Sequence, residues 1–232
     1  MELFVEKYRG KLLPICARPG MGTTSLALQM ADFYAQSSEK KVVIFSQKLT
    51  KKEMIDRIVC QRLSLDHYDL VKNGFPSEKE QNRFAHEQEQ IENSNMQVIE
   101  SAESTDEGMR QALASMDNVG LVVVDSLDAY KNKITAAALR EMAEGMNIPF
   151  VITCLVKRSV DCKISKLPKR RDIKIKELSK APVLYFLKRD FYYDINADEN
   201  DADLIVDAEE RTAVKLTWLG SCMKYSVNGS VQ

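Results

Sequence analysis

Short apolar runs alternate with longer amphipathic stretches over the first two thirds of this chain. The runs at 12–16, 42–46, 96–100, 121–125 and 150–154 are bounded by polar residues and turn formers. Apolar runs of this length predict strands covered on both faces. The stretches at 24–36, 51–63, 77–93, 105–116 and 133–146 predict helices. Strand following helix following strand implies right-handed βαβ crossovers and a mostly parallel sheet. The last third changes character. Strands are predicted at 183–187, 204–206 and 214–217, with little helix between them. We expect these to extend one sheet edge in antiparallel fashion and not to form a separate unit. The fold class read from the pattern is therefore α/β: a mostly parallel central sheet flanked by helices, with an antiparallel edge extension, in one domain over 1–232.

Composition narrows the function classes only modestly. Of 232 residues, 44% are hydrophobic and 29% charged, and the net charge of -1 gives no overall pull toward nucleic acid or membrane. No apolar run approaches the roughly 20 residues of a membrane helix. The amino terminus carries Glu2 and Glu6 without an apolar signal core, so a cytoplasmic location is expected. Five scattered cysteines and two histidines argue against a disulfide framework or a zinc site, and predict buried, reduced thiols.

The distribution of charge is more informative than its sum. Residues 157–176 hold nine lysines and arginines against Asp161 and Asp172, whereas 190–210 hold nine acids and no base. Two opposed local fields lie behind a neutral total.

Candidate chemistry begins at the end of the first strand. Ala17-Arg18-Pro19-Gly20-Met21-Gly22-Thr23-Thr24 leads from a strand into a helix, the setting in which backbone N–H groups converge on a phosphate. Gly20 and Gly22 allow close backbone approach. Thr24 matches the hydroxyl that such loops place on Mg²⁺, but the lysine position is occupied by Thr23.

The flanking residues, in order along the chain, resemble the motor domain of the DnaB-type replicative helicases over about residues 12–225. The Ala-Arg-Pro start is shared. The second strand ends Ser46-Gln47-Lys48 where the family has Ser-x-Glu, and Arg57 matches an arginine of the following helix. Gly120–Asp125 resembles the Walker B strand, with Asp125 at the Mg²⁺-linked acid. Asn147-Ile148-Pro149 leads into a strand ending at Leu155, where the family has a sensor glutamine, while Arg158 and Ser159 match. Arg189-Asp190 with Tyr193 is similar to the family's Arg-Asp-x-x-Tyr. The family's Gly-Lys-x-Arg element, which acts on a neighbour's nucleotide, corresponds to a shortened 206–211 carrying Glu209 and Glu210 beside Arg211.

The resemblance implies a RecA-like P-loop NTPase fold without the family's amino-terminal domain and linker helix. It implies ATP with Mg²⁺ as cofactor, at Arg18, Gly20, Gly22, Thr23, Thr24, Lys48, Arg57 and Asp125, with Thr24 and Asp125 next to the metal. The departures predict nucleotide binding that is weak or absent, and they leave no residue to name as catalytic. Lys48 is read either as a solvated strand end or as a substitute cation. The basic segment falls where the family holds single-stranded DNA, which makes Arg158, Lys163, Lys166, Lys169, Arg170 and Arg171 candidate phosphate contacts. The segment lacks aromatics for base stacking, and Pro168 favours an extended, projecting chain before it. Its alternative is a solvated loop or one neutralised by the acids of 190–210. Three functions stay open: a hydrolysis-deficient module of DNA replication or mobile elements with single-stranded DNA or replication proteins as partners, a divergent active ATP-dependent helicase, and a P-loop protein for another phosphate ligand. Weak self-assembly, to a monomer or small oligomer, is expected.

Overall fold

The computed structural model describes residues 7–100, 105–130 and 133–227. The segment 1–6, on which the expectation about an export signal rests, lies outside the described residues. Nine strands form one sheet: β1 (Leu12–Ala17), β2 (Lys41–Ser46), β3 (Met96–Ile99), β4 (Val119–Asp125), β5 (Phe150–Leu155), β6 (Leu184–Lys188), β7 (Asp201–Asp207), β8 (Arg211–Leu219) and β9 (Lys224–Val227). Their spatial order is β3-β2-β4-β5-β1-β6-β7-β8-β9. The first six run parallel, and β7, β8 and β9 add on in antiparallel fashion beyond β6. This is the predicted arrangement.

Alternate residues of the central strands enter two separate cores, one on each face. Leu13, Ile15 and Ala17 of β1 join one cluster, Leu12 and Cys16 the other. Double coverage explains why these strands carry no polar alternation. Pro14 sits in a central strand without breaking it. In a parallel ladder one residue's N–H and C=O point to the same neighbour. Lys11 O and Ala17 O both accept from β5 or the residue after it, so Pro14 faces β6, and the β1–β6 ladder begins only at Ile15.

The helices are α1 (Thr23–Ser37), α2 (Lys51–Leu63), α3 (His67–Asn73), α4 (Glu78–Glu92), α5 (Asp106–Ala114) and α6 (Ala136–Met146). Side-chain caps set five of the six starts: Thr50 in a capping box with Glu53, then Asp66, Ser77, Thr105 and Thr135. Two elements escape the sequence pattern. Helix α3 buries none of its residues, so it has no apolar stripe to detect. Strand β9 is four residues long and mixed in character. Strands β7 and β8 extend beyond the predicted 204–206 and 214–217, because Arg211–Lys215 is an exposed stretch paired to β7.

All five cysteines are free, and four are buried as expected. Cys162 is exposed. No helix among the described residues is long and apolar enough to cross a membrane.

Candidate functional site

The C-terminal ends of β1, β4 and β5 lie side by side, which is where open α/β sheets bind ligands. At the end of β1 the chain turns through Gly20 (φ 81°) and Gly22 (φ 82°), both left-handed. Gly22 precedes α1 and gives it no side-chain cap, so the first-turn N–H groups are left for an outside acceptor. A Cβ at Gly20 would meet nothing within 4 Å, so the outer side of the turn is open. A Cβ at Gly22 would instead lie 2.7 Å from the Tyr225 hydroxyl and 3.1 Å from Trp218. We therefore expect Gly22→Ala to destabilise the fold by about 2 kcal/mol or more, from left-handed backbone strain plus the clash. Chemical denaturation of the two proteins measures it; an unchanged midpoint would contradict the packing described here.

Tyr225 fastens this turn to the sheet edge. Its hydroxyl donates to Met21 O, and its ring packs 4.7 Å from that of Trp218. Gln29 of α1 both donates to Tyr225 O (2.9 Å) and accepts from Tyr225 N (2.7 Å). The antiparallel extension thus braces the phosphate-loop helix. Sequence reasoning assigned no role to Tyr225, Trp218 or Gln29, since partners about 190–200 residues apart leave no local signal.

Asp125 ends β4 and is 2% exposed. Its carboxylate accepts from Thr24 Oγ1 (2.9 and 3.1 Å to the two oxygens) and from Thr153 Oγ1 on β5. The predicted pair Thr24 and Asp125 is therefore brought together. Thr153 was missed, although a threonine inside the apolar run Phe-Val-Ile-Thr-Cys is a visible signal. No lysine or arginine pairs with Asp125 among the described residues. A buried carboxylate served by hydroxyls and no cation is a suitable donor for a hard divalent ion.

The remaining predicted nucleotide contacts divide. Thr23, partly exposed, opens α1 and contributes no charge. Lys48 is exposed, and its Nζ lies 3.4 Å from Ser126 Oγ, the residue after Asp125. Arg57 is half-buried on α2, and its Nε is buried without a hydrogen-bond partner. One turn later on the same helix face, Gln61 Nε2 donates to Ser25 O of α1 (3.2 Å) and to Met223 O (2.8 Å). Arg18 turns away: its Nε pairs with Asp161 at 3.0 Å and its guanidinium also bonds Val156 O at 3.3 Å. Leu155 has no polar side chain, and its backbone N–H is donated to Asp128 Oδ2 at 2.6 Å. Burial pushes the Asp128 carboxyl pKa up, and that N–H offsets part of the shift. On these observations the uncapped turn fits a phosphate, and Thr24 with Asp125 fits a magnesium ion beside it.

The basic segment is folded, not projecting. Lys157 N donates to Asp172 O (2.7 Å) and Lys174 N to Leu155 O (3.0 Å), closing the neck of a loop built around buried Val160. Pro168 is buried, its carbonyl accepts from Arg211 (2.7 Å), and a 3-10 turn over Arg170–Asp172 follows. Arg170 is tied inward: Nε to Asp207 Oδ1 (2.6 Å), the other nitrogens to Asp207 O, Ser179 O and Ala181 O. Lys163 pairs with Asp172, and Lys166 bonds Asp161 O and lies over the Tyr193 ring. Burial pushes the Asp172 carboxyl up, but the Lys163 and Lys169 bonds outweigh it and hold the group below its ordinary range. Arg158, Lys169 and Arg171 remain exposed. Of the opposed acidic segment, Asp207 pairs with Arg170 of the basic run and with Arg211, so the two fields meet in part. The turn between β7 and β8 presents exposed Glu209 and Glu210.

Comparison with known proteins places this arrangement. The family model for the DnaB-like helicase C terminal domain matches residues 7–227. The replicative DNA helicase DnaC of Bacillus subtilis is 22% identical over 220 residues, covering 88% of this chain and 48% of the relative. A probable plasmid replicative DNA helicase of Chlamydia trachomatis is 22% identical over 179 residues, covering 72% of this chain and 40% of its own length. This chain thus spans about half the length or less of these curated relatives. Among solved structures, one ATPase domain superposes with a TM-score of 0.81 at 22% identity, covering 95% of this chain and 86% of that one. A DnaB-like replicative helicase studied with its primase interactions gives the same TM-score at 22% identity, covering 94% of this chain and 57% of that one. The mostly parallel sheet with its antiparallel edge is accordingly that of a family member: the chain belongs to the DnaB-like helicase C-terminal domains.

Proposed function

We propose that this domain serves DNA replication, of a chromosome or of a mobile element such as a plasmid, as a nucleotide-binding module deficient in hydrolysis. The observation that carries the reading is the phosphate turn itself. The backbone cradle and the Thr24–Asp125 contact are in place, while Thr23 stands at the lysine position and Lys48 at the position of the water-activating acid. Single-stranded DNA is the second ligand, contacted through phosphates by Arg158, Lys169 and Arg171. Replication proteins are further partners, in keeping with the primase named for one structural relative. Assembly into rings is feeble in this proposal, because Glu209 and Glu210 would meet a neighbour's nucleotide with the wrong sign.

Calorimetric titration with ATP, with and without Mg²⁺, tests the nucleotide half. A charge-assisted contact to phosphate contributes about 1.5–3 kcal/mol. ATP should therefore bind Thr23→Lys about 10- to 100-fold more tightly than the unaltered chain. No heat from either protein would remove nucleotide binding from the proposal.

A further inference from the structure

We infer that Lys48 supplies the cation for the terminal phosphate of a nucleoside triphosphate seated on the Gly20–Thr24 turn. The inference rests on the reading of that turn as a nucleotide site.

The charges around the turn demand such a group. Thr23 is neutral, Arg18 is committed to Asp161, and Asp125 adds a buried carboxylate. A polyphosphate arriving here meets backbone dipoles and a nearby negative charge. Lys48 comes from β2, the neighbour of β4 on the side away from β5 and β1.

Several contacts hold Lys48 in place for this. Ser46 is the β-ladder partner of Asp125, and Gln47 N donates to Asp125 O at 3.2 Å. Immediately afterwards Ser46 Oγ donates to Leu49 O (2.5 Å) and accepts from Leu49 N (3.1 Å), closing a tight turn with Lys48 inside it. The backbone of Lys48 is thereby pinned beside the end of β4. Its amine is aimed at Ser126 Oγ, a neutral hydroxyl that holds an ammonium weakly and releases it to a stronger acceptor.

Position along the site gives selectivity. The turn and first helical amides cradle the inner phosphates of a bound nucleotide. Asp125 reaches Thr24 through its side chain, and Lys48 stands one residue further on, at Ser126. The amine belongs to the β2 side of β4, away from β1 and the turn, and in this proposal it meets the outermost phosphate. A lysine at position 23, within the turn, would serve inner and outer phosphates alike.

The experiment is a set of calorimetric titrations with Mg²⁺-ATP and Mg²⁺-ADP on the unaltered chain, Lys48→Ala and Thr23→Lys, with thermal unfolding run on each as a check of folding. The unaltered chain should prefer ATP over ADP by about tenfold or more. Lys48→Ala should bring ATP down to the affinity of ADP and leave ADP as it was. Thr23→Lys should strengthen both. An ATP-to-ADP ratio that survives Lys48→Ala, with Thr23→Lys still strengthening both ligands, overturns the role of Lys48 and leaves the site reading intact. Nucleotide binding by Thr23→Lys alone, with none by the unaltered chain, overturns it too. If no protein in the set binds either nucleotide, the site reading itself falls and takes the inference with it.

Discussion

Phosphate release from Mg²⁺-ATP should stay at the buffer rate with this chain, and should stay there in Thr23→Lys. Phosphoryl transfer in P-loop proteins depends on positioned charge: a lysine on the phosphates, an acid or glutamine orienting water, and cations from the next subunit. In the proposed reading those positions hold Thr23, Lys48, Leu155 and the acidic turn at 208–210. Removing one such group typically costs on the order of 10²–10³ in rate, and groups acting as a unit do not sum. Adding the lysine alone therefore strengthens binding without turnover, because position 48 still lacks the acid that would orient the attacking water. The stepwise set Thr23→Lys, then Thr23→Lys with Lys48→Glu, then with Leu155→Gln added, should show release only from the second step onward. Mg²⁺-dependent release by the unaltered chain that disappears in Asp125→Asn would falsify the proposed deficiency.

The second large effect concerns the basic loop, where the structure separates cations that the sequence leaves equivalent. Arg170→Ala should destabilise the fold by about 2–4 kcal/mol, or roughly 5–12 °C in Tm for a chain of this size. The change strips four hydrogen bonds from Asp207, Ser179 and Ala181, and leaves Asp207 with the outer partner Arg211 alone. The effect is smaller than for a fully buried pair because the Arg170 side chain is 33% exposed. Replacing Arg158, Lys169 and Arg171 together with alanine should leave stability within about 1 kcal/mol, since exposed cations contribute little. That triple variant should instead weaken single-stranded DNA binding for every sequence. It should also flatten the salt dependence, by about 0.7 log units per log unit of salt for each phosphate no longer neutralised. Differential scanning calorimetry and a fluorescence titration across salt concentrations give both readouts. A triple variant that binds as well as the parent would mark the loop as solvated or self-neutralised.

Arg170 and Arg171 show where reading the sequence runs out. Both belong to one Lys-Arg-Arg run, and nothing local distinguishes them. Asp207, 37 residues away, does: it meets Arg170 because β7 runs antiparallel beside β6 and brings its end to the loop. Pro168 is a similar case. Its restriction on the preceding residue is real, but contacts with Arg211 and the buried loop interior turn an extended segment inward.

The sequence by itself determined the fold class, the order of the parallel strands' elements and the place of the glycine turn between β1 and α1. Those depend on short-range causes: apolar runs covered on both faces, helical periodicity, and two glycines between a strand and a helix. Helix α2 has the predicted bounds, and the structure adds the Thr50–Glu53 box that starts it. Helix α3 and strand β9 were not readable, because one buries nothing and the other is too short to carry a period. Only the tertiary structure decided which titratable groups face one another. It set Thr153 and Thr24 on Asp125, turned Arg18 to Asp161 and Lys48 toward Ser126, and packed Tyr225 behind Gly22. Hydrogen bonds and ion pairs act over a few ångströms, and only assembly of the sheet brings residues from 28 to about 200 positions apart to that range.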